Sequence, residues 1–347
     1  MRELLVAFCE LDPSSSVVIS ILQVLHRQNP GIESFGFDFQ GIWQDLSIGL
    51  RQAVWDLFQS PHLKSLSLEY IQVPNTLLLG SAVRHLHLDN IESGDMAESM
   101  EHLSTSRRSN LKGLPICSQI ESLEIDRPDE SHLALLCGGS DSSTLGQFIR
   151  LRKLTITVYF FEEEYNYIAP LLSRAEETLV DVKILYGSHM DHPVSPPATV
   201  DLGRMKRLKN LTLDSSEHDV GTVLHDYNLL LGQLTAPTTL ETLNLHVPLD
   251  LQDEDHYTAL APLFQSLGAP SDCNVWTSFN DIISAPFRFT GLRQLVVRVQ
   301  FVQYLVDDCP GSDANFRDLI KTLIRLALPY FSGDDGAPKL VIDFTTR

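Results

Sequence analysis

The sequence predicts an α/β solenoid, a parallel sheet built from one strand per repeat with helices and irregular connectors joining successive strands. Three observations predict it. An apolar triplet at positions i, i+3 and i+5 recurs eleven times, most clearly as Leu240, Leu243 and Leu245. The copies start at residues 1, 32, 63, 83, 120, 151, 179, 208, 240, 292 and 337, so six of the ten intervals measure 28 to 32 residues, a period that marks a stacked supersecondary unit. Several segments between triplets carry apolar residues at helical spacing, and parallel strands require a crossover of that kind. Because the repeat runs from end to end, residues 1–347 are read as one array and not as several separate domains.

Within each triplet, i+3 and i+5 point to one face of a short strand, and i enters that face from the preceding turn. The first copy is Met1, Leu4 and Val6, and a helix is expected from Ser14 to Gln28 after the start signal Asp12-Pro13-Ser14. Ile32, Phe35 and Phe37 follow, then a second helical pattern from Asp45 to Gln59 through Leu46, Leu50, Val54 and Leu57. The interval after Leu63, Leu66 and Leu68 is only 20 residues, too short for much of a helix before Val83, Leu86 and Leu88. Residues 104–119 read as a surface loop before Ile120, Leu123 and Ile125, and residues 186–204, rich in proline, read as another.

Leu151, Leu154 and Ile156 lead to Ile168-Ala-Pro-Leu-Leu172, echoed by Leu260-Ala-Pro-Leu-Phe264 in a later connector. Proline in both is expected in the first turn of a helix, where its missing N–H costs little. Glu162-Glu-Glu164 and Asp253-Glu-Asp255 suit helix starts, where they favour the dipole. Further helices are expected from Val223 to Leu234 and from Asn315 to Tyr330. The 52-residue interval after Leu240 contains an expected insertion at residues 268–289.

Composition narrows the partners. Basic residues number 26 and acidic residues 45, a formal charge of −19. Phosphate binding needs a basic surface, so nucleic acid and anionic membrane are not expected, whereas a protein client with a basic patch is. Five dispersed cysteines without a CxxC pair fit a reducing compartment, cytoplasmic or nuclear. No apolar run approaches the ~20 residues that span a bilayer.

The triplet is the strand part of a leucine-rich repeat, L-x-x-L-x-L, and the first copy extends it as Met1-x-x-Leu4-x-Val6-x-x-Cys9-x-Leu11. Later copies lose the Asn or Cys position, which becomes Gln40, Ile71, Ile91, Pro128, Tyr159, Gly187, Ser216, Pro248 and Gln300. The chain therefore resembles an irregular leucine-rich repeat array, and its long helical connectors resemble the repeat regions of fungal-type F-box proteins. That resemblance implies a client-binding region of a ubiquitin-ligase substrate receptor. An F-box docks on the ligase adaptor, and no L-P-x-E signal opens one here, so an adaptor is expected only if an F-box lies outside this chain. The first strand also lacks a polar cap before Met1, so a preceding portion, a partner or a second copy of the chain is expected to cover it. A stand-alone scaffold or inhibitor of a basic protein is the alternative.

The residues at i+2, i+4 and i+6 face away from the buried side and are the candidate binding surface. In the i+6 column, six of eleven residues are acidic: Asp38, Glu69, Asp89, Asp126, Asp214 and Asp343. The first four are consecutive, and parallel strands lie ~4.8 Å apart, so they form a ridge suited to Lys or Arg side chains. Asp38, Glu69, Asp89, Asp126 and Asp214 are therefore partner-binding candidates, joined by His85 and His87 beside Ser65, Ser67 and Glu124. The competing reading is that Asp favours strand ends because its carboxylate bonds turn backbone.

Catalytic chemistry is not expected. Phosphate-binding, nucleophile-elbow and zinc-protease motifs are all missing from the sequence. His189-Met-Asp-His192 offers three metal ligands in four residues, but a proline-flanked loop gives them no rigid support. No metal or cofactor is therefore expected, and a hydrolase built on His189, Asp191 and His192 is the remote alternative. Trp276, Phe279 and Phe287, inside the expected insertion, either anchor a partner or cover an apolar edge.

Overall fold

The computed structural model describes residues 3–7, 16–27, 31–94, 119–137, 148–159, 162–187, 202–215, 220–234, 237–250, 275–285, 287–302, 314–332 and 337–346. The chain is α/β and divides into two compact units, Met1–Ile156 with Ser173–Thr178, and Thr157–Leu172 with Leu179–Arg347. The first unit runs β1 (Glu3–Ala7), α1 (Ser16–Arg27), β2 (Ser34–Ile42), α2 (Ile48–Phe58), β3 (Ser65–Pro74), β4 (His85–Asp89), β5 (Glu92–Gly94), β6 (Ser122–Asp126) and α3 (Glu130–Cys137). Strand β7 (Lys153–Val158) and helix α4 (Glu162–Ala175) are divided between the units. The second continues β8 (Asp181–Tyr186), β9 (Asn210–Ser215), α5 (Val220–Gly232), β10 (Thr242–Asp250), α6 (Val275–Ser284), β11 (Gln294–Val302), α7 (Ala314–Ala327) and β12 (Lys339–Thr346).

Every strand pairing described is parallel. In the first unit β1 pairs β2, β2 pairs β3, β3 pairs β4 and β4 pairs β6, with β5 against the far end of β3. In the second, β8, β9, β10, β11 and β12 pair in chain order. The register aligns the triplets: Phe35 faces Leu66, which faces Leu86, which faces Leu123. Leu211 faces Leu243, which faces Leu295. The nine internal triplets, from Ile32/Phe35/Phe37 to Leu292/Leu295/Val297, are buried at every position. Each such side chain contributes about 1.5–3 kcal/mol by leaving water, so the repeat is the core.

A second repeat lies in the backbone. One carbonyl before most of the strands accepts two N–H groups from the next repeat. Glu33 accepts from Lys64 and Ser65, Lys64 from Arg84 and His85, and Arg84 from Glu121 and Ser122. The same pattern recurs at Lys209 and Glu241 in the second unit. These turn carbonyls would otherwise lack partners at the strand entry. Side chains at the same position form ion pairs between neighbouring repeats, Lys64 with Glu33, Arg84 with Glu121, and Lys209 with Glu241. This exposed ladder adds register and little stability.

The helices follow their apolar spacing. Ser47 caps α2 by accepting the Leu50 N–H at 3.3 Å, and Asp129 opens α3 by accepting the His132 N–H at 3.1 Å. Helix α4 begins at Glu162, so Pro170 lies in its interior and not in its first turn. The start falls on the acidic run Glu162-Glu-Glu164, as expected from the helix dipole, and the Glu164 carboxylate accepts the Tyr159 N–H at 2.7 Å. The expected insertion at 268–289 contains α6. Trp276, Phe279 and Ile283 recur at helical spacing there and all are buried. The 186–204 segment ends in a helical turn, Leu202–Arg204, that buries Leu202. Residues 104–118 and the Leu260–Phe264 echo lie outside the described residues.

Candidate functional site

The outward face of the first unit carries the candidate site, and its shape follows from side-chain size along two columns. Strand β2 presents Ser34 and Gly36, and β3 presents Ser65 and Ser67, so nothing larger than serine covers the middle. Leu5 of β1 rises on one side and His85 and His87 of β4 on the other, followed by Ser122 and Glu124 of β6. The result is a trough of about 350 Å³. Leu5 is 70% exposed and lies across Gly36, where an added Cβ would stand 2.6 Å from its Cδ1. A side chain there would displace Leu5, so the glycine lets the wall close over the floor.

Hydrogen-bond arithmetic assigns the trough's protons. The Ser67 hydroxyl donates its one proton to Glu69 Oε1 at 2.8 Å. Its oxygen lies 3.3 Å from His87 Nδ1, so Nδ1–H is the donor there, and in the neutral ring Nε2 is left as an acceptor. This is the reverse of a base-activated serine, in which the imidazole takes the hydroxyl proton.

Asp38, Glu69, Asp89 and Asp126 follow two residues further along the same four strands, after Gly36, Ser67, His87 and Glu124. They are in register, Asp38 beside Glu69, Glu69 beside Asp89 and Asp89 beside Asp126. Burial, then repulsion from Glu69 and Asp89, raises the Asp38 carboxyl above the usual range. Its Oδ1 is buried without a hydrogen-bond partner. Burial also raises Asp89, reinforced by its hydrogen bond to Asp126 and that group's charge, while His87 and Arg127 act the other way. The field of Asp89, then burial, raises the Tyr70 phenol. Asp38 and Asp89 thus each feel the charge of acidic neighbours on the adjacent strands. Strand-end chemistry accompanies three of them: Tyr70, Asn90 and Arg127, the residues directly after Glu69, Asp89 and Asp126, take left-handed backbone angles (φ 54°, 49° and 51°).

The same column in the second unit is charge-balanced. The carboxylate of Asp214, the remaining acidic candidate, lies 3.2 Å from both Lys183 Nζ and His246 Nδ1. His246 Nε2 lies 3.0 Å from Arg298 Nη1. Arginine only donates, so Nε2 accepts and Nδ1–H donates to Asp214, which defines a neutral imidazole. Burial alone would raise the Asp214 carboxyl, but His246 and Lys183 outweigh it and hold the group below the usual range. Asp214 is therefore a neutralised partner within the face, unlike the ridge of the first unit.

The remaining candidates separate cleanly. His189, Asp191 and His192 lie outside the described residues. Among the described residues, no group of three His, Cys, Asp or Glu side chains is placed to hold a metal ion. Trp276 and Phe279 are buried and meet edge to face at 6.3 Å, so only Phe287, 77% exposed, is available of the three aromatics. No described helix is long and apolar enough to cross a membrane. Sequence reasoning did not find the trough, although its signal, Gly and Ser in adjacent columns between Leu5 and the histidines, is written in the aligned repeats. No protein-family model matches the chain, and no curated protein matches it.

Proposed function

We propose that the chain is an irregular leucine-rich repeat solenoid acting as a protein-binding module, with the outward sheet face of the first unit receiving a basic segment of its partner. The carrying observation is the ridge of four in-register carboxylates bordering an open trough. In the free protein these groups oppose each other, and Asp38 keeps a buried oxygen without a hydrogen-bond partner. Cationic side chains relieve that repulsion and supply donors, so binding is favoured where the free face is least comfortable. The chain's charge of −19 steers a basic partner towards it. In this reading the chain serves as the client-binding part of an F-box-type ubiquitin-ligase receptor, as the resemblance of its repeats implies.

The test is fluorescence anisotropy of a short labelled peptide carrying three lysines, titrated with the wild type and with the variant Asp38→Lys/Glu69→Lys/Asp89→Lys/Asp126→Lys. The variant should lose at least tenfold in affinity while keeping the wild-type circular dichroism, and wild-type binding should weaken as salt rises. Equal affinity for a folded variant removes the ridge as the contact surface. The receptor role is tested separately on the native assembly: a client complex that never contains a cullin-ligase adaptor removes it.

A further inference from the structure

We propose that the trough of the first unit is an arginine-selective subsite, holding one guanidinium side chain of the bound segment between Leu5 and His87. The proposal rests on the reading above, that this face receives a basic segment, and adds which side chain occupies the trough.

Parallel neighbours lie ~4.8 Å apart, so Leu5 on β1 and His87 on β4 stand three strands apart, ~14 Å between backbones, with Gly36 and Ser67 between them. Leu5 reaches inwards over Gly36 and His87 is tied to Ser67, which narrows the opening to a slot with an aliphatic side and an imidazole side. Such a slot suits an occupant with an apolar stem and a flat, weakly hydrated head.

The floor and ends then select the chemistry of the head. Ser65 offers a hydroxyl oxygen, Ser67 has spent its proton on Glu69 and one lone pair on His87 and presents the other, and the Glu124 carboxylate closes the far side beside His87. These are mainly acceptors. An aromatic or aliphatic occupant would strip water from them without replacing its hydrogen bonds, and an anion would meet Glu124. Five fixed donors on a plane match this set, and a guanidinium also stacks on an imidazole face. An ammonium is a compact, strongly hydrated point charge that uses neither wall.

The experiment compares two labelled peptides identical except that one carries three arginines and the other three lysines, titrated into the full chain at fixed pH and salt. Wild type should favour the arginine peptide by about tenfold, a difference of about 1.4 kcal/mol. Ser65→Leu fills the slot from an outward-facing position. It should bring the ratio to about one and leave lysine-peptide affinity within about twofold. Leu5→Ala removes one wall at an exposed site and should lower the ratio about threefold, which keeps the test alive if the first variant fails to fold. Equal wild-type affinity for the two peptides overturns the arginine subsite and leaves the acidic-face reading standing. So does a discrimination that survives both substitutions. Binding of neither peptide overturns both.

Discussion

Replacing Asp89 by Asn should stabilise this protein at neutral pH, against the usual expectation for a surface charge bonded to its neighbour. Asp89 stands in register between Glu69 and Asp126; it is hydrogen-bonded to Asp126, and with strands ~4.8 Å apart its carboxylate is about 5 Å from that of Glu69. One pair of unit charges at that distance costs about 1 kcal/mol in water and about 3 kcal/mol at an effective dielectric of 20. The site is half-buried and partly screened, so the lower value applies, and two neighbours together give about 1–2 kcal/mol. Asparagine keeps a donor for Asp126 and removes the charge. Asp89's pKa is raised in the folded state, so its own contribution is fully present below the ordinary carboxylate range and is lost as pH rises through the raised value. The advantage of Asp89→Asn is therefore largest at pH 7 and shrinks as the solution is acidified through that window. Urea unfolding at pH 7 and at stepwise lower pH measures both quantities. A variant that is less stable at pH 7, or whose gain does not change with pH, would show that the ridge is not electrostatically frustrated.

In the second unit, Asp214→Asn should destabilise by about 1–2 kcal/mol at pH 7, because Lys183 and His246 lose the carboxylate they share. Asp214's pKa is lowered, so its contribution is present above the ordinary carboxylate range and disappears as pH falls through the lowered value. A denaturation series should show the wild type and variant converging in acid, and a constant gap would refute the assignment. Trp276→Ala should cost about 3–5 kcal/mol by opening a cavity under α6, read as a drop in urea midpoint. Phe287→Gly should be neutral or stabilising by about 1 kcal/mol, since Phe287 is exposed and held at φ 80°. A clear loss of stability there would assign Phe287 a packing role.

Charge placement explains why the ridge was legible from residues and the trough was not. The ridge needs only the repeat phase: once the triplets are aligned, Asp38, Glu69, Asp89 and Asp126 fall in one column, and strand pairing delivers them as neighbours. The trough depends on three-dimensional facts, namely how far Leu5 leans over Gly36 and where the Ser67 proton goes. Asp214 looked equivalent to the ridge by phase. It differs because Lys183 and His246, on adjacent strands, happen to reach its carboxylate, and reach is a property of side-chain rotamers that spacing does not encode.

The sequence by itself determined the α/β class, the parallel order of strands and the identity of the core, because the i, i+3, i+5 pattern is a direct consequence of two-residue strand periodicity and burial of one face. It also placed α1, α2, α5 and α7 to within about three residues, through apolar spacing alone. Tertiary structure decided what local pattern leaves open. It placed Pro170 inside α4, in one helix that starts at the acidic run Glu162-Glu-Glu164 and continues through the proline. It turned part of an apparent insertion into a helix whose Trp276 and Phe279 are buried. It also separated Asp214 from the acidic ridge of the first unit as a neutralised carboxylate, because the energy of a charge is set by the neighbours that folding brings to it and not by its place in the chain.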